Sequence, residues 1–145
     1  MEASTEVILK IVEYIERHLE EGLDLDKIAE ISGYSKYHIS RVFNDRVGET
    51  IHQYIKKRRI TEAARNLVFT NKPIVDIAFS TGYESQQAFS LAFKKLYMES
   101  PQTYRKNKVF WPIQLKVVMN SKVFKQRREN VSYNNFNIKC EVKAA

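Results

Sequence analysis

The chain's 145 residues suffice for one or two compact units and leave no room for a large multidomain enzyme. Its residues are 43% hydrophobic and 28% charged, the balance of a folded chain, and four glycines with three prolines favour helices over a many-turned all-β fold. The net charge of +7 is uneven, with nine acidic against three basic groups in residues 1–30, so a basic body follows an acidic start; this suits a polyanion approached from one side, or a solvated surface with no partner.

In chain order, Val7, Ile8, Ile11, Val12, Ile15 and Leu19 predict an amphipathic helix over residues 5–21, with Glu2, Glu6, Glu13 and Glu16 breaking the apolar run. A short helix follows, capped by Asp24 and carrying Leu25, Ile28 and Ala29; Gly33 can end it with positive φ. Ser35 caps the next helix, whose buried face is Ile39, Val42 and Phe43 at i, i+3 and i+4. Residues 50–69 read as a long bridging helix with Ile51, Tyr54, Ile55, Ile60, Ala63, Ala64, Leu67 and Val68 on its apolar face. Pro73 stands at the start of another short helix (Ile74, Ile77, Ala78), Gly82 makes the turn and Ser85 caps a helix burying Phe89, Ala92, Phe93 and Leu96. Pro101 opens a final short helix reaching about Lys106. Beyond it the pattern changes. Ile113, Leu115, Val117 and Met119 alternate with polar residues, as do Phe136, Ile138, Cys140 and Val142, so both stretches read as half-buried strands around a loop with Lys122, Lys125, Arg127 and Arg128.

The two helical pairs are copies of one unit. Ile28-Ala29 and Gly33-Tyr34 recur 49 positions later as Ile77-Ala78 and Gly82-Tyr83. After one extra residue, Ile39, Ser40, Phe43, Thr50 and Tyr54 match Phe89, Ser90, Phe93, Ser100 and Tyr104 at an offset of 50. Two helices joined by a short glycine-containing turn form the helix-turn-helix layout that reads DNA, and also a common way to pack helices for stability alone. The duplication together with the basic charge favours DNA.

Other chemistry finds little support. Cys140 is solitary, and His18, His38 and His52 lack the spacing of a paired metal site, so no cofactor or metal is expected. No catalytic carboxylate pair, nucleophile–base arrangement or phosphate-cradling glycine loop stands out, which argues against an enzyme. No apolar run could span a bilayer and no signal-peptide layout opens the chain, so the expected place is the cytoplasm, with no membrane partner.

The segments SGYSKYHISRVFNDRVGETIHQYIKKRRITEAARNL and IVDIAFSTGYESQQAFSLAFKKLYMESPQTYR resemble the AraC/XylS family over about residues 5–108, and GYESQQ is similar to the MarA–SoxS–Rob–TetD subgroup. With the elements read above, the resemblance implies an all-α fold: a first helix-turn-helix subdomain at 5–49, a linker helix at 50–69 and a second subdomain at 70–108; the alternation beyond them adds a C-terminal β-like extension at 109–145, outside the resemblance. It further implies a DNA-binding transcription regulator, usually an activator, monomeric on double-stranded DNA, with two recognition helices in successive major grooves. Subgroup members govern stress and antibiotic-resistance genes and contact RNA polymerase. For the extension three readings compete: packing on the second unit, pairing across two chains, or the stub of an effector domain, because FWPIQLKV resembles the stretch entering such a domain. The last reading makes the chain the DNA-binding part of a small-molecule-responsive regulator.

Subtracting the buried stripes leaves Lys36, Tyr37, Ser40, Arg41 and Asn44 exposed on the first recognition helix, and Gln86, Gln87, Ser90, Leu91 and Lys94 on the second. Arginine suits guanine O6 and N7, and glutamine suits adenine N6 and N7. The family's base-contacting positions fall on Tyr37, Ser40 and Arg41, then on Gln86, Gln87, Ala88, Ser90 and Leu91. Ser35, Lys36 and Ser85 lie at helix starts that attract phosphate; Asn44, Lys94 and, more weakly, Lys56 and Lys57 complete the expected phosphate set. Each has a plainer reading. Arg41 could pair with Asp45, Gln86 and Gln87 could be ordinary first-turn residues, Tyr37 could pack on its helix, and the run Lys56-Lys57-Arg58-Arg59 spans more than one face. Two departures stand out: Leu91 where the subgroup often has arginine, and Met98 where the first copy has Gly48.

Overall fold

A computed structural model describes residues 2–118, and over these the chain is helical throughout its regular structure. Seven helices follow one another: α1 (Glu2–Arg17), α2 (Leu25–Ser32), α3 (Lys36–Val47), α4 (Ile51–Phe69), α5 (Ile74–Ser80), α6 (Gln86–Tyr97) and α7 (Pro101–Asn107). They divide into two units, one of residues 2–55 with 116–118 and one of residues 56–115, the boundary falling inside α4. The same supersecondary plan fills both. A leading helix (α1, or the later part of α4) precedes the helix-turn-helix pair, and a trailing helix (the start of α4, or α7) follows it.

In the first unit the core is largely aliphatic. Ile8, Ile11, Val12 and Ile15 of α1 are 1% exposed or less and join Ile28, Ile39, Phe43 and Tyr54. Asp24 caps α2 by accepting from the Asp26 amide at 3.0 Å, and Gly33 ends it at φ 79°, a conformation that costs a glycine no steric strain. Ser35 caps α3 through the His38 amide, and Gly48 ends it at φ 89°. Thr50 and Gln53 cap α4 reciprocally: each side chain accepts the other's backbone N–H, at 3.1 and 2.9 Å.

The second unit repeats the serine cap of the recognition helix and the glycine turn at Gly82, but α5 starts at Pro73 with no side-chain cap, α6 ends at Met98 rather than a glycine, and the core is filled differently. Ile60, Ala63, Ala64 and Leu67 of α4 pack with Ile77, Ala78, Phe89, Phe93, Tyr97, Tyr104 and Phe110. The two alanines leave volume that aromatic rings take up, as close packing demands. Phe93 stacks on Tyr97 at 4.6 Å between centroids and meets Tyr104 edge-on at 5.3 Å. Ser85 caps α6 through Ala88, and Ser100 caps α7 through Thr103. Tyr97, absent from the expected stripe, is 3% exposed.

Two expectations are corrected. The first helix runs Glu2–Arg17 rather than 5–21, because at His18 the backbone turns to tighter i→i−3 bonds (His18 N to Ile15 O, 3.1 Å; Glu21 N to His18 O, 3.0 Å) and the His18 ring bonds the Tyr14 carbonyl. The strand expected over residues 113–119 does not form in 113–118. Its amides spend their hydrogen bonds on helix side chains instead of a neighbouring strand: Gln114 N–H donates to Thr61 Oγ1 at 2.9 Å and Val117 N–H to Tyr54 OH at 3.1 Å. The strand expected over residues 136–142 lies outside the described residues.

Candidate nucleic-acid interface

The face of α3 opposite Ile39 and Phe43 carries the expected residues in the open. Tyr37 is 75% exposed, so it does not pack on its helix. Arg41 and Asn44 are exposed and Ser40 half-buried, all on the ridge that Tyr37 begins. Arg41 makes no ion pair among the described residues, so its guanidinium keeps its forked donors for an outside acceptor. Ser35 Oγ accepts the His38 amide and the Ser35 carbonyl that of Ile39, which leaves the N–H groups of Lys36 and Tyr37 at the start of α3, where an anion is favoured. Lys36 is exposed but engaged: its ammonium lies 2.8 Å from Asp26 Oδ1, and that hydrogen bond holds its pKa above the usual lysine value. A phosphate has to compete with α2 for this lysine.

On α6, Gln86, Gln87, Ala88, Leu91 and Lys94 are exposed, Leu91 at 61%, while Ser85 and Ser90 are half-buried. Ser85, Gln86, Gln87, Ser90, Leu91 and Lys94 line an open depression of about 720 Å³. Its remaining wall is Ser100 at the start of α7, which the sequence reading passed over. The available signal was the match of Ser100 to Thr50, which marks a cap and nothing more. The Ser100 hydroxyl is committed to Thr103, at 2.9 Å to its Oγ1.

The basic run of α4 divides sharply. Lys56 is exposed and Lys57 half-buried, but Arg58 is only 4% exposed, donating to the Gln114 carbonyl at 2.7 Å and to Glu62 Oε1 at 2.9 Å. Arg59 is half-buried beside Gly82, its Cζ 3.5 Å from where a Cβ would stand on that glycine. Burial lowers the Arg59 pKa and raises that of neighbouring Tyr83. Two of the four cations therefore serve the second unit's interior.

Each unit thus presents a recognition-type helix, seated on its own core and started by a serine cap, with side chains suited to base edges on its open face.

Comparison with known proteins agrees. A helix-turn-helix domain model matches residues 15–107. The chain is 39% identical to the regulatory protein SoxS of Salmonella typhimurium over 100 residues, covering 69% of this chain and 94% of SoxS. It is 41% identical to the right origin-binding protein of Escherichia coli K12 over 101 residues, covering 70% of this chain but only 35% of that longer protein. Among solved structures, a transcriptional regulator with an AraC-type DNA-binding domain from Chromobacterium violaceum superposes with a TM-score of 0.69 at 27% identity, covering 74% of this chain and 96% of that one.

Proposed function

From the premise that this chain belongs to the AraC-type helix-turn-helix family, related to SoxS, we propose that it binds double-stranded DNA sequence-specifically and activates transcription. In this reading α3 and α6 enter successive major grooves, with Tyr37, Ser40 and Arg41 at base edges from the first unit and Gln86, Gln87, Ala88, Ser90 and Leu91 from the second. Ser35, Lys36, Asn44, Lys56, Lys57, Ser85 and Lys94 face phosphates and set the register. The protein acts as a cytoplasmic monomer on a promoter, touches RNA polymerase, and serves the stress and drug-resistance responses of its subgroup. Among the described residues no helix is long and apolar enough to cross a membrane.

The observation that carries the proposal is the unengaged, exposed Arg41 on a helix otherwise anchored by Ile39 and Phe43, repeated in plan by α6. The first test is selection of bound fragments from random duplexes, followed by titration at rising salt. A single enriched motif and a linear fall of log affinity with log salt are expected. A helical domain that packs only against proteins gives neither.

A further inference from the structure

The duplication supplies an internal control. Matching Ser40 with Ser90 and Phe43 with Phe93 places Arg41 opposite Leu91, so one position of the recognition face carries a guanidinium in the first unit and an isobutyl group in the second. Leu91 is no displaced core residue. It is 61% exposed, while Phe89 and Phe93 on either side of it are fully buried. It stands in a polar ring of Gln86, Gln87, Ser90 and Lys94 around the open depression on α6. Among the residues lining that depression Leu91 alone has a wholly hydrocarbon side chain, a group whose size and chemistry match a methyl group.

Resting on the DNA-binding reading above, we propose that α6 reads A·T pairs, with Leu91 packed on the 5-methyl of a thymine and Gln87 hydrogen-bonded to adenine N6 and N7, while α3 reads guanine through Arg41. The major groove offers this chemistry: thymine presents a methyl there, adenine a donor and acceptor matched to a carboxamide, and guanine two acceptors matched to arginine. Gln87 and Leu91 are i and i+4 on α6, about 5–6 Å apart at Cβ. That is less than two base-pair steps of roughly 3.4 Å, so the two side chains address the same or adjacent pairs. Neither can make the paired donor contacts to guanine that Arg41 can. The operator is therefore chemically lopsided, one half defined by guanine and the other by A·T pairs.

The test replaces each thymine of a selected duplex, one at a time, by deoxyuridine, which removes only the 5-methyl, and measures affinity by fluorescence anisotropy. With the unaltered protein, one replacement should weaken binding about fourfold, the worth of one methyl taken from water. With Leu91→Ala the same replacement should have no effect. Leu91→Arg should move the preference at that pair from thymine to guanine. If every thymine tolerates the replacement while binding still depends on Arg41 and salt, the inference falls and the DNA-binding reading stands. An equal loss in the unaltered protein and Leu91→Ala removes Leu91 from the contact. Absence of any sequence-preferring binding overturns both.

Discussion

The two units share a plan but solve its packing and its surface differently. In the first, α1 supplies five branched aliphatic residues to the core, and few rings are needed. In the second, the corresponding stretch of α4 offers Ile60 and Leu67 with two alanines, and Phe89, Phe93, Tyr97, Tyr104 and Phe110 occupy the space. Buried hydroxyls then need partners. Tyr97 OH donates to the Trp111 carbonyl at 2.8 Å, and Tyr104 OH accepts from the Trp111 amide at 3.0 Å. Tyr54, the match of Tyr104 in the first unit, likewise accepts a backbone N–H, from Val117. The two units thus share the serine caps of α3 and α6, the glycine turns at Gly33 and Gly82 and a tyrosine anchor, while core filling, recognition surface, the cap of the short helix and the residue ending the recognition helix differ.

The largest expected effect concerns the aromatic core. Phe93→Ala should cost about 3–5 kcal/mol, because a fully buried ring cannot be replaced by collapse around small Ala63 and Ala64. Urea denaturation followed by the fluorescence of Trp111, the one tryptophan of the chain and a neighbour of Tyr97 at 4.7 Å, measures it. A cost below about 1 kcal/mol would mean that this core is loosely filled.

Next comes the recognition surface. Arg41→Ala should weaken specific binding by about 1–3 kcal/mol and relax preference at one base position. A titration with unchanged affinity and site preference removes Arg41 from the reading set. Leu91→Arg, which makes the two helices alike at this position, should replace the thymine preference there by guanine and steepen the salt dependence through its added charge.

The α3 and α6 ends differ by one residue type at one conformation. Met98 holds φ 62° where Gly48 holds φ 89°, and Met98 is 82% exposed, so it gains no burial in return. Met98→Gly should stabilise the protein by about 1 kcal/mol and Gly48→Ala should destabilise it by a similar amount. Thermal melts of the two variants should move in opposite directions. The smallest effect belongs to the Lys36–Asp26 bridge, which the second unit lacks at the matching residues Gln86 and Val75. Asp26→Asn should leave the melting midpoint nearly unchanged, since both partners are exposed, yet raise DNA affinity by releasing Lys36. A lower affinity would mean that the bridge positions the lysine.

Much of this was legible in the sequence because it rests on local rules. Serine and aspartate caps, glycine turns and the i, i+3, i+4 apolar stripes announce themselves within a few residues, and the duplication doubles each signal. Exposure of Arg41, Gln86 and Leu91 followed by subtraction. What escaped depends on contacts distant in the chain. Arg58 looks like any member of a basic run until residue 114 places a carbonyl over it. The alternation at 113–118 mimics a strand because residues along α4, Thr61 and Tyr54, meet its amides in turn. Arg105, too, appears as surface charge, yet it donates to the carbonyls of Leu67 and Lys72 and closes the end of α4.

Hydroxyl-radical cleavage of a selected duplex with bound protein addresses the tandem reading most directly, since it records which stretches of backbone each unit shields. Two protected patches centred about one helical turn apart, roughly 10–10.5 base pairs, are predicted, with Arg41→Ala weakening one and sparing the other. One patch alone, equally weakened by substitutions on α3 and α6, would contradict the claim that both helices read DNA.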